Sequence, residues 1–251
     1  MNRQDQSLPK KSGNFEDLQK FQAKLVSRLS SELNTPLSII REGLDLLSEE
    51  IQDQLKEKDK KLLNVLHENV NRLTNGLNHF FELCRIEAGQ MDFKRKSLDV
   101  NEFLKEVEKE FEKVVKARKL RWQVRPLPKN ALIYGNAQYL LEVFKHLVDN
   151  AVKFTEKGAV EVTVKDDPKH VEFIISDTGM GISEEHRLKV FDKFEQHWPD
   201  PNRPPEGLGL GLTIAKAIVN HHQGRIWIDE KYQKGTRVIF TIPKLASKST
   251  P

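Results

Sequence analysis

Apolar residues spaced three and four apart dominate the first third of the chain. Leu18, Phe21, Leu25, Leu29, Leu33, Leu37, Ile40, Leu44 and Leu47 fall on one stripe of a long helix. A polar break over residues 49–61 interrupts the pattern, and a second stripe follows at Leu62, Leu66, Val70, Leu73, Leu77, Phe80 and Cys84. Two long amphipathic helices joined by a short polar stretch predict an antiparallel hairpin. One hairpin cannot cover both stripes along their whole length. Pairing of two copies into a four-helix bundle would cover them, so a homodimer through residues 14–89 is expected.

The pattern changes after Arg85-Ile86-Glu87-Ala88-Gly89, where Gly89 suits a helix C-terminus. A connector over residues 90–100 leads to a helix over 101–117. Strands are predicted at 120–124 and 131–134, then a helix over 137–154 with Leu140, Leu141, Phe144, Leu147, Val148 and Ala151 inward. Residues 160–164 and 171–176 alternate as a hairpin would, 212–222 reads as a helix, and 225–229 with 236–242 form another strand pair. The fold class is therefore an all-helical hairpin followed by an α/β sandwich. The divisions are a polar lead-in at 1–13, the hairpin at 14–89, the connector at 90–100, the second domain at 101–246 and a tail at 247–251. No internal repeat is visible.

Composition narrows the class. Of 251 residues, 37% are hydrophobic and 31% charged, which suits a helix-rich globular chain and argues against wholesale disorder. No stretch reaches the ~20 uninterrupted apolar residues of a membrane helix. The first fourteen residues carry no apolar core of a secretory signal. Cys84 is the single cysteine, which excludes an intrachain disulfide and fits a reducing, cytoplasmic setting. The net charge is +4, but the bases lie scattered among nearly as many acids. The basic runs Lys94-Arg95-Lys96 and residues 113–121 have no zinc ligands or interleaved aromatics beside them, so solvated surface is favoured over nucleic-acid binding.

Three glycine-bearing segments carry the candidate chemistry. Asp177-Thr178-Gly179-Met180-Gly181-Ile182 follows an apolar strand. A carboxylate there can accept the exocyclic amine of adenine, while Gly179 and Gly181 let backbone approach a ring closely. Gly207-Leu208-Gly209-Leu210-Gly211-Leu212 runs into a helix, where free N–H groups and the helix dipole both favour phosphate. Upstream, Asn150 can offer an oxygen to Mg²⁺ and Lys153 can meet phosphate oxygens, with Phe154 closing the helix. Each segment alone has a plainer reading. A lone DxGxG is more often an ordinary turn, and a GxGxG before a helix also suits a dinucleotide turn. The second segment lies after helices and a proline-rich loop, outside a strand–turn–helix unit, which weakens the dinucleotide reading. Together and in this order they point to one nucleotide site.

Here the chain resembles the catalytic half of sensor histidine kinases, whose ATPase fold is shared with type II topoisomerases, mismatch-repair ATPases and a heat-shock chaperone. Residues 146–154, His-Leu-Val-Asp-Asn-Ala-Val-Lys-Phe, resemble the N box. Residues 177–182 resemble the G1 box, Phe191-Asp192-Lys193-Phe194 the F box, and residues 207–212 the G2 box. Gly235-Thr236 matches the late Gly-Thr behind the adenine pocket, and the resemblance covers about residues 100–244. It implies ATP as ligand with Mg²⁺ held by Asn150, and a mobile lid over residues 195–206 in which Trp198 is a packing anchor. One departure sits in the N box: the family usually has Asn, and its non-kinase relatives a catalytic Glu, where this chain has His146. Absence of that Glu argues against a water-activating ATPase. A histidine there reads either as ordinary drift or as a change that weakens or alters Mg²⁺ coordination, which prefers oxygen.

The first helix carries Ser30-Ser31-Glu32-Leu33-Asn34-Thr35-Pro36-Leu37, which resembles the phosphoacceptor box of the family's dimerisation domain, usually Ser-His-Glu-Leu-Arg-Thr-Pro-Leu. Asn34 replaces the common Arg, a minor change, and Ser31 replaces the histidine, which removes the nucleophile. Ser31 lies two residues from both Leu29 and Leu33 and so faces away from the stripe; Thr35 lies one turn on, Glu32 beside it, and Pro36 should bend the helix. A serine hydroxyl needs a strong base, and a carboxylate such as Glu32 is poorly matched to that task. His67 and His79, on the second helix, suit a helix-surface role. Three explanations stand: an engineered acceptor-less form of a working kinase, a natural pseudokinase scaffold that binds ATP and signals through dimer shape or partner binding, or a core that keeps only the dephosphorylation of its regulator. In the family a threonine at the position of Thr35 orients water for that last reaction. The expected partners are a second copy, a response regulator receiver domain, and a separate or truncated sensor domain.

Overall fold

In the computed structural model, residues 12–51, 55–196 and 207–244 are described, the stretch 12–24 and Ile51 by backbone alone. The chain divides into two compact units, Met1–Met91 and Asp92–Pro251.

The first unit is a helical hairpin. α1 spans Ser12–Ile51 and α2 spans Glu57–Glu87, so both helices reach further into the polar break than periodicity alone predicts. Charged residues such as Glu57 and Asp59 sit in the first turn of α2, where they favour the helix dipole without adding to any apolar stripe. Pro36 lies inside α1 and removes one backbone donor, leaving the Glu32 carbonyl without its usual partner one turn on. The helices are joined by polar cross-links as well as apolar contact. Asn34 Nδ2 donates to Asn78 Oδ1 at 3.0 Å, and His67 meets Ser48 Oγ at 3.1 Å and Asp45 Oδ1 at 3.5 Å. α2 ends at Glu87 with Ala88 as its C-cap, and the following Gly89, with φ of 66° and an N–H bond to the Ile86 carbonyl, closes the helix as the sequence predicts.

The second unit is an α/β sandwich. Its elements are β1 (Lys96–Asp99), α3 (Val100–Ala117), β2 (Arg121–Arg125), β3 (Leu132–Gly135), α4 (Ala137–Phe154), β4 (Ala159–Asp166), β5 (His170–Asp177), α5 (Glu184–Arg187), α6 (Gly211–His221), β6 (Ile226–Ile228) and β7 (Arg237–Pro243). Five strands form one sheet in the order β2-β4-β5-β7-β6, with β2 parallel to β4 and every other pair antiparallel. α3, α4 and α6 cover one face. Val160, Val162, Val171, Phe173, Phe240 and Ile242 alternate toward them and are fully buried. Phe144 of α4 sits at the centre, edge-on to Phe103, Phe173 and Phe240 at 5.8, 5.8 and 5.4 Å, while Phe173 and Phe240 stack across paired strands at 4.9 Å.

The predicted connector contains a strand that the sequence pattern did not show. Residues 96–99 are strand β1, paired antiparallel with β3, and Asp99 caps α3 by accepting from Glu102 N. Just before it, Phe93 stacks on Tyr139 at 4.6 Å and on His221 at 5.0 Å. Beneath them His222 is wholly buried. Its Nδ1 donates to the Ile218 carbonyl and its Nε2 accepts from Asn136 N, and burial lowers its pKa to about 4. A four-residue strand whose partner lies more than thirty residues on leaves too short a pattern to read from sequence.

Candidate nucleotide site

The site is built at one end of the sheet, where β5, α4, α6 and the turn before β7 meet. Asp177 is the last residue of β5 and is 6% exposed. Its N–H donates to the Thr236 carbonyl, its carbonyl accepts from the Tyr232 hydroxyl at 3.1 Å, and its Oδ1 accepts from Gly179 N at 2.8 Å and Thr236 N at 3.0 Å. Among the described residues only Oδ2 is left to accept a further donor. Burial pushes the carboxyl above the ordinary aspartate range, and the Thr236 and Gly179 amides pull part of that back. A buried carboxylate with one oxygen saturated and one open is a directional acceptor for an amine.

Two glycines are demanded by the approach of neighbouring backbone. A Cβ at Gly179 would stand 2.3 Å from the Phe154 carbonyl oxygen, and one at Gly235, where φ is 153°, would stand 2.3 Å from the Asp177 carbonyl oxygen. The loop of residues 178–182 is thereby pressed against the end of α4. Met180 N donates to the Phe154 carbonyl, and Ile182 O accepts from Arg187 Nε at 2.9 Å.

α6 begins at Gly211 with no side-chain cap and no acid in its first turn. Its first N–H groups therefore point out with nothing on the helix to satisfy them, as an anion site requires. Leu210 is buried and anchors this turn, while Leu208 is 40% exposed. Gly207 and Gly209 have φ of 92° and 69°. Gly209 runs against the Glu195 carbonyl, and Gln196 Nε2 donates to the Gly207 carbonyl, so the two flanks of residues 197–206 meet. The rest of the predicted lid, residues 197–206 with Trp198, lies outside the described residues. Thr213 Oγ1 reaches the carbonyls of Phe191 and Asp192, tying the segment 191–194 to α6.

Along α4, Asn150 is partly exposed, and its side chain has no hydrogen-bonding partner among the described residues. Lys153 lies with its ammonium 5.3 Å from the Phe154 ring. His146, one turn before Asn150, is buried, and its Nδ1 lies 3.3 Å from where a Cβ on Gly211 would stand. The imidazole thus packs against the first residue of α6. Of the residues singled out in sequence, Asn150, Lys153, Phe154, Asp177, Gly179, Gly181, Ile182, the stretch 207–212 and Thr236 all lie in this one unit. Sequence reasoning missed Tyr232, Arg187 and Arg237, which hold the loops in place. The single tyrosine in the polar run 229–234 was the signal available for the first.

On the hairpin, Ser31, Glu32 and Thr35 are all exposed. Thr35 Oγ1 donates to the Ser31 carbonyl at 2.8 Å, and Glu32 pairs with Arg28 at 2.7 Å with both side chains well exposed. Asn34, read as a minor change, in fact links α1 to α2. Leu25, Leu29, Leu33, Ile40, Leu47, Leu62, Leu66 and Leu73 are each 40% or more exposed in the single chain.

Comparison with known proteins agrees with this layout. Residues 135–246 match the family described as Histidine kinase-, DNA gyrase B-, and HSP90-like ATPase, and residues 21–89 match the His Kinase A (phospho-acceptor) domain. The sensor histidine kinase WalK of Bacillus subtilis is 28% identical over 232 residues, covering 91% of this chain and 38% of that protein. Full-length ShkA, solved with AMPPNP, shares the fold at a TM-score of 0.70 and 24% identity, over 89% of this chain and 46% of that one. The catalytic domain of the histidine kinase ThkA aligns at a TM-score of 0.51 and 27% identity, over 59% of this chain and 98% of that domain. The chain spans between a quarter and 44% of the length of the curated relatives it matches.

Proposed function

We infer that this chain, which by resemblance belongs to the histidine kinase family, is the ATP-binding core of a two-component sensor kinase whose phosphoacceptor position holds Ser31. The observation that carries the nucleotide reading is Asp177, buried and, among the described residues, bonded at every polar atom except Oδ2, in the same unit as the uncapped N-terminus of α6. In this reading Oδ2 accepts the adenine amine, the glycines 179 and 181 and Ile182 line the ring, and Thr236 backs it. The backbone of residues 207–212 follows the phosphates, and Lys153 adds positive charge. The residues present fit Mg²⁺ sparingly: Asn150 offers one unpartnered carboxamide oxygen, and the packed His146 offers no oxygen at all. Phosphates and water would supply the remaining ligands, as is usual for this ion, which when bound neutralises phosphate charge.

The hairpin supports a homodimer, because eight residues of its apolar stripes are 40% or more exposed in one chain and a second copy would bury them. In a complete relative the exposed residue at position 31 receives the γ-phosphoryl group and a response regulator takes it on. Ser31 is accessible but weakly nucleophilic, and Glu32 is engaged with Arg28, so autophosphorylation is lost while ATP binding persists. Thr35 remains for a phosphatase role toward the regulator, its hydroxyl parked on the Ser31 carbonyl. The test of the site is titration of Mg·ATP into wild type and Asp177→Asn. Loss of most binding in the variant is expected, and undiminished binding would overturn the assignment.

A further inference from the structure

Beyond the Gly179 and Thr236 amides, which lie in motifs that the family resemblance supplies, Asp177 is held by Tyr232, which lies outside all of them. The loop 229–234 is folded by Asp229, whose Oδ1 accepts from Lys231 N and whose carbonyl accepts from Tyr232 N. This presents the Tyr232 hydroxyl to the Asp177 carbonyl at 3.1 Å. Arg237 lies over the Tyr232 ring at 4.1 Å, donates from Nε to Ser176 Oγ at 2.9 Å, and meets Asp229 Oδ2 at 3.3 Å. Its guanidinium therefore touches the tyrosine, the residue before Asp177 and the residue that folds the loop. From the other side Arg187 bonds the Ile182 carbonyl and reaches the Glu230 carbonyl, joining the glycine loop to the same turn.

We propose that Tyr232, braced by Arg237, is a positioning residue that fixes the aim of Asp177 and so sets the pocket's selectivity for a purine bearing a 6-amino group. The proposal rests on the adenine-site reading above. Three of the polar atoms of Asp177 are bonded to the Gly179 and Thr236 backbone or to this tyrosine, so the direction of Oδ2 depends on the carbonyl staying where the tyrosine holds it. The Gly235 backbone crowds the same carbonyl oxygen, leaving the Tyr232 hydroxyl as its only side-chain partner among the described residues. Without the hydroxyl the strand end can rotate, and a directional contact to an amine is the first thing such a rotation weakens.

The test uses the full chain, Tyr232→Phe, and two ligands: Mg·ATP and the Mg complex of purine riboside triphosphate, which lacks the 6-amino group. Wild type should prefer ATP. Tyr232→Phe should weaken ATP by about three- to tenfold, the loss of one hydrogen bond's directing effect, and leave purine riboside triphosphate nearly unchanged. Arg237→Lys, which removes the stacked plane, should show the same selective loss to a smaller degree. Thermal midpoints without nucleotide separate misfolding from positioning, and the variant that keeps its midpoint is the one read. An equal loss on both ligands, or none on ATP, in a folded variant overturns the proposal. A wild type that binds both ligands alike overturns instead the adenine-site reading beneath it.

Discussion

At the scale of single residues, two buried ionisable groups make predictions of opposite kind. Asp177 has its pKa raised by burial, so folding favours its protonated form more than the unfolded chain does. Its contribution to stability is present below the ordinary aspartate value and is lost as pH rises through the raised one. At neutral pH the carboxylate is therefore a cost to folding, retained for binding. Asp177→Asn can keep its oxygen on the Gly179 and Thr236 amides and turn its amide NH₂ toward the ligand, replacing the open acceptor with a donor. The variant should melt at the same temperature as wild type or higher at pH 7, while losing ATP; a clear fall in melting temperature would contradict this. His222 behaves the other way. Burial depresses its pKa to about 4, with Arg95 and His221 adding smaller effects, so its stability is intact above 6.5 and lost as pH falls toward 4. Up to about 3 kcal/mol should disappear over that window. Urea titrations of wild type and His222→Gln at pH 7 and 4.5 check it, and the variant should show a visibly shallower acid dependence.

At the scale of elements, the site depends on how closely loops approach one another. Gly235→Ala would drive a Cβ into the Asp177 carbonyl at a backbone angle that side chains rarely adopt. It should cost about 2 kcal/mol or more and abolish nucleotide binding, measured by denaturant midpoint and ATP titration. This is also where sequence and structure part company. The helices and β4–β5 were legible because their apolar periods run for many residues, and the glycine segments because their chemistry is local. β1 was missed because its partner lies far along the chain, and the hold of Tyr232 and Arg237 on Asp177 was invisible because it joins residues up to 61 apart. Asn34 shows the same limit: as a substitution in a motif it looked minor, but across the hairpin it bonds Asn78, 44 residues on.

At the scale of the whole molecule, the chain carries a hairpin in which eight stripe residues, among them Leu25, Leu66 and Leu73, are 40% or more exposed when the chain stands alone. Sedimentation at micromolar concentration should show a dimer, and Leu66→Glu, which places a charge on the stripe, should shift it to monomer; a wild type that is monomeric there would count against the bundle. The central claim is that one side chain separates this chain from a phosphorylating kinase core. It is tested by incubating wild type and Ser31→His with Mg·ATP labelled at the γ-phosphate and assaying protein-bound phosphate for acid lability. The account predicts none on wild type and acid-labile phosphate on Ser31→His. Acid-labile phosphate on wild type, or a Ser31→His variant that binds ATP yet stays unlabelled, would contradict it.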